Sequence, residues 1–427
     1  MDTLYIFIEI NGEQKFVGTI HKTDTSDGIF CYSPEYLADA SAAAISCRLP
    51  LREEPFDEIQ TRRFFDGLLP EGFTRRTVAG YIHADPVDYL SILENLGKEC
   101  LGAIKIVKDK AEISCGSYEA LNDSQVLELA REGSSKSVEL VIKSHLSLTG
   151  ASGKAGLYYE PGSKCFYLPV GDAPSTHIVK QSHIRFEQIV VNEQLALQTA
   201  SLCGLPVPVS FVLKPQSTEA EDVLFATQRY DRTFEGAENC FGDLKVPLRL
   251  HQEDFAQALG IPSSGKYEKQ GERFLGQCFD LLRKTSSDPI EDQMRLWDIL
   301  VFDFLIGNTD NHIKNISLLY GKNLKSIRLA PAYDILSTTI YEASTRDMSI
   351  YIGDECSIDR IGRESFAQAA SEAGLGTRIA ERRLDEMADK FEKSLSEASR
   401  LLTQEGFQQA DSIKEKILSS SGYRVLK

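Results

Sequence analysis

Apolar and polar residues alternate over 4–10 and 16–20, with Asn11-Gly12 between them, a pattern that predicts a β-hairpin. Helical spacing takes over at 57–66, breaks at the GLLPEG segment 67–72, and resumes in TRRTVAGYI. Residues 86–97 start with a proline suited to a first helical turn and end in Gly97, so they predict another helix. These signals describe a mixed α/β unit over 1–125. A strand-rich unit is expected over 140–250, with strands at Leu157–Tyr159, Cys165–Val170, Thr176–Val179, 207–213 and 223–229. Between them Glu187–Leu202 has helical spacing, with Val190, Leu195, Leu197 and Ala200 as core contacts and Gly204 as its stop. From 251 to 427 the pattern is mostly helical, at 252–259, 268–284 and 291–306, with a strand at 316–320. The helix predicted at 376–401 carries a stripe of Leu384, Met387, Phe391, Leu395 and Leu401 or Leu402, which reads as core-facing.

Two polar stretches interrupt the apolar runs of the last region. One is GNTDNHIKN at 307–315, and the other ends the APAYD segment at Asp334. Gly307 can stop the preceding apolar helix and NTDN can turn, which displays Asp310 to an incoming hydroxyl. The Asn315 amide oxygen is a hard metal ligand without a full charge, and Asp334 is a second one, pinned behind a proline-containing run. An acid that orients a hydroxyl and two oxygens that hold Mg2+ are what phosphoryl transfer from ATP requires. His312 is a scaffold for this loop, and Lys314 either offsets phosphoryl charge, pairs with Asp310 or is simply solvated.

Upstream, Lys180 ends a strand and can neutralise phosphates, with Glu193 on the following helix as its structural pairing partner. The segment 145–156 is rich in small residues. Gly150, Ala151, Ser152, Gly153 and Lys154 form a candidate phosphate loop, too tightly spaced in its glycines for a Walker loop. Gln228, Arg229, Tyr230 and Asp231 form a candidate base-binding strand, chiefly through backbone groups, while Arg229 and Arg232 could instead pair with acids on the surface. The arrangement implies an α+β, two-lobed protein-kinase-like fold with an additional N-terminal subdomain and a mostly helical C-terminal lobe.

Composition narrows the partners. The 427 residues carry a formal charge of -16, so most of the surface should repel free phosphate backbones. No apolar run reaches the ~20 residues of a membrane span, and the nine cysteines include no C-x-x-C pair. The expectation is a cytoplasmic protein without a disulfide framework, a zinc site or a membrane partner.

Nearly the whole chain resembles the HipA family of bacterial serine/threonine protein kinases, the toxins of toxin–antitoxin pairs. The resemblance rests on FFDGLLPEG at 64–72, LGAI at 101–104, LSLTGASGK at 146–154, THIVK at 176–180, Asn192-Glu193, QRYDR at 228–232, HQED at 251–254, the 307–315 motif and AYDI at 332–335. It implies that Asp310 is the catalytic aspartate, that Asn315 and Asp334 are magnesium ligands, that Lys180 is the ATP-phosphate lysine and that Gln228–Asp231 is the adenine linker. Gln228 stands where the family often has glutamate, and Ser152 where many members have glutamine. Ser147 falls on the family's self-phosphorylated serine, whose modification expels the loop. The resemblance further implies a protein substrate of translation such as an aminoacyl-tRNA synthetase, a HipB-like helix-turn-helix antitoxin, and operator DNA engaged mainly through that antitoxin. Two other readings are a small-molecule hydroxyl kinase and a weakly active antitoxin-binding co-regulatory module.

Overall fold

A computed structural model describes residues 3–23, 26–110, 116–131, 154–181, 186–215, 219 and 222–427. The chain forms two compact units. One comprises Met1–Ser182, Leu213–Ser263 and Leu318–Ile327, and the other His183–Val212, Ser264–Ser317 and Arg328–Lys427.

The first unit begins with the hairpin Thr3–Ile10 and Glu13–Lys22. Asn11 and Gly12 both have positive φ, at 53° and 84°, as a two-residue turn matching strand twist requires. With Gly28–Tyr32 and Ile104–Val107 these strands make a four-stranded antiparallel sheet. Gly18 lets two of them approach, because a Cβ there would stand 2.0 Å from the Cys31 carbonyl oxygen. Phe30, Phe56 and Phe65 pack as one aromatic cluster, and Thr61 Oγ1 accepts the Phe30 N–H at 3.0 Å within it. The helix over Glu58–Phe65 starts at a reciprocal cap between Asp57 and Gln60. The next predicted helix begins later than expected, at Tyr89. Asp88, not Pro86, starts it, accepting the Ser91 N–H while Lys22 Nζ holds its carboxylate at 3.1 Å.

A second antiparallel sheet in this unit orders Ser117–Ala120, Cys165–Val170, Lys154–Glu160, His177–Gln181 and Leu224–Gln228 as neighbours. Beneath it lies a buried ionic cluster. Glu99 accepts from Arg229 at 3.1 Å, Arg232 at 2.9 Å and Arg249 at 2.8 Å, while Asp231 binds Arg229 at 2.7 Å and Glu9 lies 3.6 Å from Arg249. Three cations thus face three anions. Burial alone would raise the Glu99 carboxyl, but the guanidinium groups of Arg232, Arg249 and Arg229 overrule it and hold the group well below the usual carboxylate range.

The second unit is mainly helical. Ile189–Cys203 ends at Gly204, with φ 98°. Thr377–Gln404 buries Leu384, Met387, Phe391, Leu395 and Leu402 against Ile189–Cys203, Pro289–Ile306, Arg363–Glu372 and Gln409–Ser420, so its stripe is core. Each such side chain contributes about 1.5–3 kcal/mol. Trp297, fully buried, donates its indole N–H to the Ala380 carbonyl at 3.2 Å. The helix expected at 268–284 starts instead at Phe274, and 252–259 divides into a strand at Gln252–Asp254 and a helix at Phe255–Leu259. The architecture is α+β: a mixed N-terminal subdomain, a sheet core and a mostly helical C-terminal region. Among the described residues no helix is long and apolar enough to cross a membrane.

Candidate functional site

The turn around Asp310 is built by how a helix stops. Pro289–Ile306 begins with proline after the Asp288 cap and ends at Gly307, with φ 79°. Only glycine fits there, because a Cβ would meet Thr339 Oγ1 at 2.2 Å. Asn308, Thr309, Asn311, His312, Ile313 and Lys314 are then all buried, whereas Asp310 is exposed. One carboxylate therefore projects from a turn whose other residues face inward. Lys314 is not a solvated lysine, since it is buried with them.

Hydroxyls and amides fix this turn. Thr338 Oγ1 accepts the Thr309 N–H at 2.8 Å and donates to the Gly307 carbonyl at 3.0 Å. Ser349 Oγ donates to the Thr309 carbonyl at 2.7 Å, and the Ser349 N–H reaches Asn311 Oδ1 at 3.1 Å. Asn308 Nδ2 donates to Asp303 Oδ1 at 2.8 Å below the turn. Burial pushes the Asp303 carboxyl up to about 7, against the lowering effect of that hydrogen bond.

Asn315 Nδ2 donates to the Asp310 carbonyl at 3.0 Å, which turns Oδ1 into the end of the amide left for a metal. Asp334 is half-buried and sits in the left-handed region at φ 57°, a conformation that aspartate tolerates better than most residues. The two polar stretches are joined by Tyr333, whose hydroxyl donates to the Lys314 carbonyl at 3.0 Å and contacts Ser317 Oγ at 2.7 Å. Asn315, Tyr333, Ala332 and Ile335 line one cavity with Asp303 and Asn308. Asn192, fully buried, clamps the chain just after Asp334: its Nδ2 donates to the Ser337 carbonyl at 2.8 Å and its Oδ1 accepts the Ser337 N–H at 3.1 Å. Asn315 and Asp334 each carry a hard oxygen of the kind magnesium takes.

Lys180 lies in the first unit and Glu193, buried, on the Ile189–Cys203 helix of the second. Lys180 pairs across the sheet with Lys154 on one side and Phe225 on the other. Directly opposed residues share a face, so Lys154 and Lys180 stand side by side on one face of the sheet. Ser147, Gly150, Ala151, Ser152 and Gly153 lie outside the described residues.

Two side chains of the base-binding set, which is expected to act chiefly through its backbone, turn inward. The Arg229 N–H donates to the Thr176 carbonyl at 2.9 Å, and the side chains of Arg229 and Asp231 are fully committed to the Glu99 cluster, so neither side chain can meet a base. Arg229 and Arg232 do pair with acids, but in the interior and not on the surface. Gln228 and Tyr230 are half-buried, the Tyr230 hydroxyl donating to Gln252. Sequence reading also missed Thr309, Thr338, Ser349, Tyr333 and Tyr267. Tyr267 donates its hydroxyl to Asp310 Oδ1 at 3.0 Å. Thr309, Thr338 and Ser349 had as advance signal a run of small hydroxyl residues near the motifs, and Tyr267 had none.

A family model described as the HipA-like C-terminal domain matches residues 146–395, and one described as the HipA N-terminal domain matches 8–107. The putative kinase Y4mE of Sinorhizobium fredii is 32% identical over 393 residues, covering 90% of this chain and 89% of that protein. The serine/threonine-protein kinase toxin HipA of Shewanella oneidensis is 24% identical over 356 residues, covering 80% of this chain and 78% of its own length. One chain of a solved Shewanella oneidensis complex of HipA, HipB and its operator DNA shares the fold with a TM-score of 0.80. That match covers 99% of this chain and 97% of the other at 20% identity.

Proposed function

This chain belongs to the HipA family and is a HipA-like kinase, and from that premise we propose that it transfers the γ-phosphoryl group of ATP to a serine or threonine hydroxyl of a protein. The observation that carries the reading is the exposed Asp310 carboxylate on an otherwise buried turn, with Asn315 Nδ2 tied to the Asp310 carbonyl. Asp310 accepts a hydrogen bond from the acceptor hydroxyl and aims its oxygen at the γ-phosphorus. Its proton is taken late, because the transferring group is loosely bonded at the summit. Asn315 Oδ1 and Asp334 would hold Mg2+, which would supply positive charge to offset that of the phosphates. Lys180 steadies the α/β-phosphates and Lys154 adds a second cation from the neighbouring strand. Gln228 and Tyr230 contribute to the base site. His312 shapes the turn, and Lys314 tempers the local negative charge.

The segment 146–154 covers the phosphates on this reading. Transfer to its own Ser147 would put a dianion among them and stop turnover. The acceptor protein belongs to translation, an aminoacyl-tRNA synthetase being the type in view, and the chain acts as the toxin of a toxin–antitoxin pair in the cytoplasm. A HipB-like antitoxin binds it and carries most of the contact with operator DNA. The assembly in which the Shewanella relative was solved supports this, and so does a net charge of -16, which suits a basic partner better than bare DNA.

Labelled ATP, protein fractions and the Asp310→Asn variant test the proposal. Transfer should fall at least about a hundredfold, with ATP binding retained in a direct titration. Undiminished transfer removes Asp310 from the role.

A further inference from the structure

An exposed carboxylate on a tight turn is free to swing unless something holds it, and in-line transfer tolerates little swing. The turn's backbone is fixed by Thr338 and Ser349, but those bonds end at the main chain and at Asn311. Among the described residues, a bond to the carboxylate itself comes from Tyr267, whose hydroxyl donates to Asp310 Oδ1 at 3.0 Å. The Tyr267 ring stands edge-on to the His312 ring, centroids 5.4 Å apart at 77°. The phenol is thus set against the same turn at two points.

The segment that carries Tyr267 is anchored to the strand that anchors the turn. The Glu268 N–H donates to the Ser349 carbonyl at 3.0 Å, and the Glu268 carboxylate accepts the Tyr351 N–H at 2.7 Å and the Phe274 N–H at 3.0 Å. The Ser349 N–H and hydroxyl in turn hold Thr309 and Asn311, on either side of Asp310. Tyr267 and Asp310 are therefore referenced to one strand, Asp347–Ile352. A hydroxyl that met the carboxylate by chance would not need an anchor shared with it.

We infer that Tyr267 is a positioning residue for phosphoryl transfer: its hydroxyl holds Asp310 Oδ1 so that Oδ2 faces the acceptor hydroxyl. This rests on the assignment of Asp310 as the residue that orients the acceptor. Tyr267 exchanges no proton with the substrate and touches no reacting atom. It acts through Asp310 alone.

The test is Tyr267→Phe, which keeps the ring against His312 and removes only the donor. Steady-state transfer from labelled ATP should show kcat down about tenfold with KM for ATP unchanged, the pattern of an interaction used in the transition state and not in nucleotide binding. The melting temperature should stay at that of the parent. In an Asp310→Ala background, single-turnover measurement of residual transfer should show no further loss from Tyr267→Phe, because there is no carboxylate left to hold. A kcat that is unchanged or raised overturns the inference, the latter meaning that the phenol competes with the acceptor. An equal loss in both backgrounds, or a loss that follows a lowered melting temperature, also overturns it. The underlying assignment fails separately: transfer that survives Asp310→Asn sinks the role of Asp310, whereas transfer abolished there but intact in Tyr267→Phe sinks Tyr267 alone.

Discussion

Glu99→Gln isolates the energetics of the interior of the first unit. The substitution keeps the shape of the side chain and removes one charge from a cluster in which three acids face three arginines. Glu99 and Arg229 have side chains 2% and 0% exposed, so water cannot take over the lost attraction. Three guanidinium groups would then face two acids. Breaking a buried pair this way costs about 3–5 kcal/mol, chiefly because a charge is left uncompensated. At about 2–4 °C per kcal/mol for a unit of this size, the melting temperature should fall by roughly 10 °C. The exposed pair Arg400–Glu397, with side chains 52% and 42% accessible, supplies the contrast, and Glu397→Gln should leave the melting temperature at that of the parent. Because Glu99 is held far below its unfolded value, its contribution is present above about pH 4.5 and fades as pH falls toward the folded value. Glu99→Gln should therefore flatten the acid limb of stability below pH 4.5. Urea and thermal melts across pH measure both effects. A loss below about 1 kcal/mol, or an acid limb as steep as the parent's, would refute the claim that this cluster is dry and balanced. Adding Arg249→Met to Glu99→Gln should recover part of the loss by restoring equal charge.

Two further outcomes concern the site. Asn315→Ala should raise the Mg2+ concentration for half-maximal transfer at least about tenfold while leaving the fold intact, since it removes a ligand oxygen and one bond to the Asp310 carbonyl; a magnesium titration with unchanged midpoint counts against it. Asp303→Asn should stabilise the protein increasingly as pH rises from about 4 to 7. The sign follows from a folded carboxyl pushed up to about 7: the folded state keeps a proton that the unfolded chain releases, so the parent loses stability through that window and the amide does not. The difference should reach a few kcal/mol and level off above pH 7, and melts that show a pH-independent difference would contradict the burial argument.

What could be read from the chain, and what could not, divides by the reach of the interactions. The hairpin was legible because Asn11 and Gly12 adopt positive φ on their own account. The Asp310 turn was legible because a glycine stop and a polar quartet act within ten residues. The start of the helix at Phe274 was not, since Lys266–Arg273 is held out of the helix by Glu268, whose partners Ser349 and Tyr351 lie about 80 residues further on. The QRYDR segment misled for the same reason. Alternating charge on a short strand reads as surface, and only Glu99 and Arg249, from distant parts of the chain, make it interior. Tyr267 carries no local mark at all; its contact with Asp310 exists only after Asp347–Ile352 has joined the two segments.

The register of the second sheet adds a point about where function is stored. Lys154 and Lys180 sit directly opposite on neighbouring strands and share one face of the sheet. On the proposed function, both lysines would offer positive charge to a triphosphate. The same logic holds at Asp334, a non-glycine residue kept at φ 57° by the Asn192 clamp on Ser337 just beyond it. In both places the residue is one that the phosphoryl-transfer proposal requires.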